Sequence, residues 1–405
     1  MSIATEVRRL LKIPTRLQNV VPAYLMSLMR DTGRRSLTAA ARFSGFSISQ
    51  FSRLLSGHKE LAVENLNRLA RRRLKRLVGR RRRLVAGSPW KVAIIIDATL
   101  HKRSSRHLEN AQRFNHGDGW VIGHQWTNIV LVINNETIPL PPLPFLTRRF
   151  SFLRGLVYKT EHKRILDFLA AWDWEGILPG VLASEVVVLM DSGYDNKKLE
   201  TFIQAQGWSF VVSLKKSRAV QTGRQGWQSV ASLFQRTRKI GLWQTIRMNG
   251  GKKRREFRVR TLTGFLKGVP LQVELVCSEK PNGERLFLAC SREGTSLGAI
   301  SRTYKIRWKV EIFHKEVKSF LGFEDAGLTS FDALEAHIHW VYCVYLLLLE
   351  LAEEGTNGTL ARRTQAENRI LDEQVGRILK LNARFDSRKA VESHCLQVRR
   401  NLRTA

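Results

Sequence analysis

The chain has 405 residues, with 68 Lys and Arg against 35 Asp and Glu, for a net charge of +33. A surplus of that size repels itself unless a polyanion neutralises it, which points to nucleic acid first and an anionic membrane surface second. Hydrophobic residues make up 43% and aromatic ones 9%, enough for two or three domains with a large core and too much for a wholly disordered chain.

Residues 1–88 read as helical and very basic, and are expected to form a DNA-binding domain. Their N-terminus lacks the apolar region of a signal peptide. Ser36 to Gly57 reads as two short helices joined at Gly45, with Ala39, Ala40, Phe43, Ile48, Phe51 and Leu54 as a shared core. That is helix-turn-helix spacing, and it puts Ser47, Ser49, Gln50 and Arg53 on the exposed face of the second helix. Any small helical hairpin reads similarly. The run from Arg71 to Leu84 includes Arg72, Arg73, Arg81 and Arg82. It is dense enough in arginine to track phosphates, the plainer alternative being a solvated helix face. Gly87, Ser88 and Pro89 mark a boundary.

Residues 89–220 change texture. Lys91 to Asp97 is a near-continuous apolar run, a buried strand ending in an aspartate. A loop from His101 to Asp118 follows. Gln125 to Ile133 and Thr137 to Leu143 flank Asn134, Asn135 and Glu136, the signature of a hairpin turn. Thr160 to Trp174 has helical periodicity, Glu185 to Asp191 is a second strand ending in an aspartate, Asn196 to Gln206 a helix, and Ser209 to Leu214 a strand. That order is similar to a ribonuclease H-like domain, an α/β fold with a mixed five-stranded sheet and helices on both faces. The two aspartate strands are parallel neighbours in such a sheet. Asp97 and Asp191 then emerge at one edge, where open α/β sheets carry their chemistry.

Residues 221–290 alternate like antiparallel strands and read as a β insertion, strongly basic at Lys252, Lys253 and Arg254. Residues 291–350 return to the α/β unit of residues 89–220. At about 100° per residue, Tyr304 to Leu321 reads as one amphipathic helix with Tyr304, Arg307, Glu311 and Lys318 on one face. Ile306, Val310, Phe313, Val317, Phe320 and Leu321 line the other. An ordinary polar face, with Glu311 paired to Lys315, is the alternative. The apolar run from Trp340 to Leu351 falls short of a membrane span and reads as part of a buried helix. Residues 351–405 form a basic helical tail. Four cysteines, Cys277, Cys290, Cys343 and Cys395, show no CxxC spacing, a usage suited to a reducing cytoplasm rather than a zinc site or disulfide framework.

Two strand-end aspartates and a helix glutamate are hard oxygen donors suited to Mg²⁺ or Mn²⁺. Two such ions about 3.5–4 Å apart can activate a water or a 3′-hydroxyl and stabilise the leaving oxygen of an in-line displacement. Without cations, three clustered carboxylates disfavour one another's ionisation. Each aspartate alone has a plainer reading as a cap or turn residue after a strand.

The spacing Tyr304-x2-Arg307-x3-Glu311-x6-Lys318 resembles the Y-R-E-K signature of a large group of bacterial insertion-sequence DDE transposases. Ile96-Asp97-Ala98-Thr99 and Met190-Asp191-Ser192-Gly193-Tyr194 are similar to that group's two aspartate motifs, and the β insertion is similar too. The resemblance covers roughly residues 90–350. It implies Asp97, Asp191 and Glu311 as catalytic ligands of two Mg²⁺ or Mn²⁺ ions, with Tyr304, Arg307 and Lys318, and Lys315 beside them, contacting substrate phosphates. The implied partners are double-stranded element ends and target DNA, bound by a homodimer in the bacterial cytoplasm without a nucleotide cofactor or a membrane. The implied reaction cuts the ends through a hairpin intermediate and joins the 3′-hydroxyls to target DNA. A hairpin needs a flipped base stacked on an aromatic ring. Trp227, Trp243, Phe257 and Phe265 are the candidates, with core packing as the alternative for each. The His101 to His116 loop and His124 are candidates to reach the scissile phosphate, His124 reading equally as a structural histidine. A DNA-binding regulator without chemistry and a structure-specific nuclease on the same fold are the competing readings. A basic RNA-associated protein explains the charge but not the three acids.

Overall fold

A computed structural model describes residues 2–30, 33–103, 107–115, 119–223, 226–237, 243–250 and 253–384, without the side chains of 247–250, 253–255 and 380–384. Lys252, His116, Cys395 and the tail from residue 385 onward lie outside the described residues, as do the side chains of Lys253 and Arg254.

Among the described residues α1 (Ile3–Leu10), α2 (Val20–Leu28), α3 (Leu37–Ser44), α4 (Ile48–Gly57) and α5 (Lys59–Val78) come first. Local chemistry sets their ends. Ser36 caps α3 by accepting the Ala39 N–H, and Gly45 closes it at φ 76°, a left-handed conformation that favours glycine. Ser47 and Gln50 form a reciprocal capping box on α4. Ala40, Phe51 and Leu54 are buried in this hairpin, but Ile48, expected in its core, is 47% exposed. It opens α4 beside the cap and lies outside the packed stripe.

The strands β1 (Val92–Lys102), β2 (Gln112–Asn115), β3 (Trp120–Ile133), β4 (Glu136–Pro139) and β5 (Leu143–Pro144) follow. Helices α6 (Arg148–Leu153), α7 (Glu161–Ala171) and α8 (Trp174–Ile177) lead to β6 (Val186–Met190), α9 (Lys197–Ala205) and β7 (Ser209–Ser213). Next come β8 (Ala219–Gln221), β9 (Gln228–Ser229), α10 (Val230–Arg236), β10 (Gln244–Gly250), β11 (Lys253–Leu266), β12 (Gln272–Glu279) and β13 (Arg285–Cys290). Helices α11 (Leu297–Lys305), α12 (Trp308–Phe320), α13 (Phe331–Leu351) and α14 (Thr359–Arg384) complete the described chain.

Among the described residues one thirteen-stranded sheet runs β2-β3-β1-β6-β7-β13-β12-β11-β8-β9, with β10 on β11 and with β4 and β5 on β3. β6 is parallel to both β1 and β7, and the remaining pairs are antiparallel. Every residue of β6 and β7 is buried, as suits strands covered on both faces. The fold is therefore mixed α/β, with a large, mostly antiparallel and partly parallel sheet and a helical N-terminal part. The β insertion prolongs this sheet past the expected five strands, because β13 pairs with β7, Leu288 opposite Ser213. That pairing satisfies backbone groups that an edge at β7 would leave open.

The hairpin turn has a local cause. Asn134 and Asn135 both take positive φ, 51° and 71°, as a two-residue type I′ turn requires, and Ile133 pairs with Glu136 across it. Two expected boundaries move. β1 does not end at Asp97 but continues to Lys102 against β3, with Asp97 opposite Asn128, and β2 lies inside the expected His101–Asp118 loop. What stops at Ile96, opposite Met190, is the parallel pairing with β6. The helix expected over Tyr304–Leu321 is two helices. Arg307 N–H bonds the Tyr304 carbonyl at 3.0 Å and Lys309 N–H the Ile306 carbonyl at 2.9 Å, so a three-residue turn separates α11 from α12. Such a turn eclipses i and i+3, which sets the Arg307 guanidinium over the Tyr304 ring, 5.9 Å from its centroid.

α13 is long and apolar enough to cross a membrane, but 89% of its apolar window is buried inside the fold. Much of its cover is α5, whose Leu66, Leu69, Ala70 and Leu74 are buried. Tyr24 of α2 meets His337 of α13 at 2.7 Å. Arg73 forks onto both oxygens of Glu136 at 2.9 and 3.0 Å.

Candidate active site

Three elements carry the acids. β1 carries Asp97, the turn after β6 carries Asp191, and the first turn of α12 carries Glu311. The register places the two aspartates side by side, each one residue past the last parallel pair. Asp191 holds its own turn by accepting the Gly193 N–H at 2.8 Å. Glu311 accepts from Arg307 at 2.5 Å, and the other terminal nitrogen of that guanidinium stands 3.9 Å from Asp97 Oδ2. One cation therefore lies between the strand acid and the helix acid.

Burial pushes the Asp97 carboxyl up to about 7, and the charges of Asp191 and Glu311 add to the rise while Arg307 opposes it. Asp97 thus feels the charges of both other acids, which come from distant segments of the chain. Among the described residues, no group of three or more His, Cys, Asp or Glu is drawn together tightly enough to hold a metal ion as it stands. The donor chemistry nevertheless fits a hard divalent cation. The set is all carboxylate, and Arg307 already stands in as the shared positive charge of Asp97 and Glu311.

The other residues on this helix are more engaged than a free polar face. Glu311 takes Arg307, not Lys315, as its i,i+4 partner. Lys318 donates to the Leu100 carbonyl at 2.5 Å and pairs with Glu324 at 3.0 Å, tying α12 to β1. Tyr304 is half-buried, and its side chain hydrogen-bonds Ser213 at the end of β7. Lys315 is exposed.

Two residues that motif spacing does not mark line the same site. His314 Nδ1 lies 4.0 Å from Asp97 Oδ2, and its Nε2 meets Asn128 Nδ2 at 2.9 Å. Burial, then Lys318 and Arg307, push the His314 imidazole down to about 3, so it is neutral. The available signals were weak: a histidine three places after Glu311, and an asparagine inside an apolar strand.

His101 and His124 are core residues that face each other across β1 and β3, and His124 Nε2 contacts the Glu109 carbonyl at 2.8 Å. This corrects the placement of His101 in a loop near the phosphate. Of the aromatic candidates, Trp227 and Phe265 are 47% and 40% exposed. Trp243 is covered by Arg258 and Arg260, and Phe257 is half-buried.

The basic candidates divide in two. Arg53, Ser47 and Ser49 are exposed, while Gln50 is half-buried and engaged with Ser47 in the cap. On α5 and just beyond it, Arg73 is spent on Glu136, Arg81 on Glu185 at 2.9 Å and on the Gly180 carbonyl at 2.5 Å. Arg72, Arg73 and Arg76 also share the buried Glu350. Arg82 is exposed, with its backbone N–H on Asn134. These internal pairs correct the view of Arg73 and Arg81 as free phosphate contacts, because Arg73 ties α5 to β4 and Arg81 ties the segment after α5 to the turns before β6.

Residues 160–347 match the family model described as Transposase DDE domain. The match spans Asp191, Tyr304, Arg307, Glu311 and Lys318 and begins after Asp97. A comparison with curated proteins finds no match.

Proposed function

We propose that this chain is a DDE transposase of the Y-R-E-K group, built on a ribonuclease H-like core, that cuts the ends of an insertion sequence and joins them to target DNA. The observation that carries this reading is Arg307 held between Asp97 and Glu311, with Asp191 beside Asp97 at the end of the neighbouring parallel strand. The strand order β4-β3-β1-β6-β7, with β6 parallel to its two neighbours, supports the fold part of the reading.

Bound Mg²⁺ or Mn²⁺ would supply Lewis acidity at the scissile phosphate and lower the pKa of a water or 3′-hydroxyl nucleophile. Asp97, Asp191 and Glu311 are the residues to hold two such ions. Arg307 exchanges Glu311 for a substrate phosphate, since a guanidinium fork suits a phosphate as well as a carboxylate. Tyr304 and Lys318 flank it, and Lys315 lies exposed beside them. The charge of +33 favours DNA on the exposed basic surfaces, including Arg53, Arg72 and Arg82. A hairpin intermediate and a dimer on DNA, acting in the bacterial cytoplasm without a nucleotide cofactor, complete the proposal.

The test is a cleavage and strand-transfer assay in Mg²⁺ on duplexes bearing the terminal sequences that flank the gene, comparing wild type with Glu311→Ala. Binding persists in the variant and all cleaved and joined products vanish. Equal product from both proteins defeats the assignment.

A further inference from the structure

A buried polar chain behind the carboxylates is used by none of the roles above. Asn128 stands opposite Asp97 across β1 and β3, and both Asn128 and Tyr342 of α13 are fully buried. The orientation of the Asn128 amide is determined by its neighbours. The Trp126 carbonyl can only accept, and it takes Asn128 Nδ2 at 3.2 Å. The Tyr342 hydroxyl donates to Asn128 Oδ1. Nδ2 is thus also the atom facing His314 Nε2, at 2.9 Å, so Nε2 accepts and the ring proton sits on Nδ1. Nδ1 in turn faces Asp97 Oδ2 at 4.0 Å, a charge–dipole contact longer than a hydrogen bond.

We propose that Tyr342, Asn128 and His314 form a positioning relay that presents an N–H to Asp97 Oδ2 and so orients this carboxylate for a divalent cation. The proposal rests on the reading of Asp97 as a metal-holding residue. His314 touches neither substrate nor ion and acts through Asp97. A neutral N–H does what Arg307 cannot: it orients the carboxylate without adding positive charge where a cation must enter. Outer partners of this type set the direction and basicity of metal-binding side chains, and losing one costs about 10–100-fold in metal affinity.

The first measurement uses the full-length chain labelled with ¹⁵N-histidine, free of DNA and metal, with His314→Asn identifying the His314 signals by their loss. Long-range ¹H–¹⁵N spectra show the Nδ1–H tautomer for His314; the Nε2–H tautomer overturns the relay. In the second, Mn²⁺ binding is followed by electron paramagnetic resonance. His314→Leu weakens it about 10-fold or more, while His314→Asn, whose amide replaces the Nδ1 donor, recovers most of the loss at a melting temperature equal to that of His314→Leu. Mn²⁺ binding that is unchanged in His314→Leu, or not recovered in His314→Asn, also overturns it. A wild-type protein that never cuts end duplexes defeats the transposase reading instead, and the tautomer still decides the relay.

Discussion

His101 shows how burial makes a residue report on pH. In the fold, burial and then the nearby charges of Arg103, His337 and His124 push its imidazole down to about 2. Unfolded, it takes up a proton near pH 6.5. Below that pH the unfolded chain binds more protons than the folded one, so stability is full above about pH 7 and is lost as pH falls. The cost at pH 5 is about 2 kcal/mol from this residue. Thermal melts at pH 7 and pH 5 should therefore show a smaller acid loss for His101→Leu than for wild type, and identical losses would refute the linkage. At this scale the sequence was informative where residues carry a spacing. Tyr304, Arg307, Glu311 and Lys318 were marked by their intervals, whereas His314 and Asn128 were not, because their roles come from facing each other across elements far apart in the chain. Pairing Glu311 with Arg307 over Lys315 was equally unreadable, since both cations sit four residues away.

Elements end where local chemistry ends them. The two positive φ values at Asn134 and Asn135 are tolerated by asparagine and penalised in β-branched residues. Asn135→Val is expected to lower stability by about 1–2 kcal/mol, read from urea unfolding, and Asn135→Gly to match or exceed wild type. A Val variant as stable as wild type would remove the turn argument. The hairpin and the helix joint at Gly45 were legible because each depends on three or four adjacent residues, whereas Ser47, read as a DNA contact, proved to be part of a helix cap. The extension of β1 to Lys102 and the break at Arg307 were not. The first depends on β3 lying alongside, and the second on a tightened turn that helical periodicity smooths over.

Across the whole molecule, α13 decides how the parts combine. It is nearly all buried, and α5 and Tyr24 supply part of its cover. A chain lacking residues 1–88 exposes that apolar helix and leaves Glu350 without its arginines. It is expected to be insoluble or to aggregate on purification, as judged by size-exclusion chromatography. A soluble, monomeric truncation would show that the helical part is an independent domain. Calorimetry of the full chain should likewise give one transition joining α5 and α13. A basic run such as Arg71 to Leu84 cannot reveal that Arg72, Arg73, Arg76 and Arg81 face internal acids, because that depends on where the fold delivers Glu136, Glu185 and Glu350.

By itself the sequence determined what neighbouring residues can settle: the hairpin turn at Asn134 and Asn135, the buried strands and the acid and base intervals of the Glu311 helix. The large positive charge was equally plain. Only the tertiary structure decided that β13 extends the main sheet, that α13 lies under α5, and that His314 is oriented through Asn128. Those outcomes depend on contacts between segments far apart in the chain, and their energy comes from burial and pairing that exist only once the parts have met.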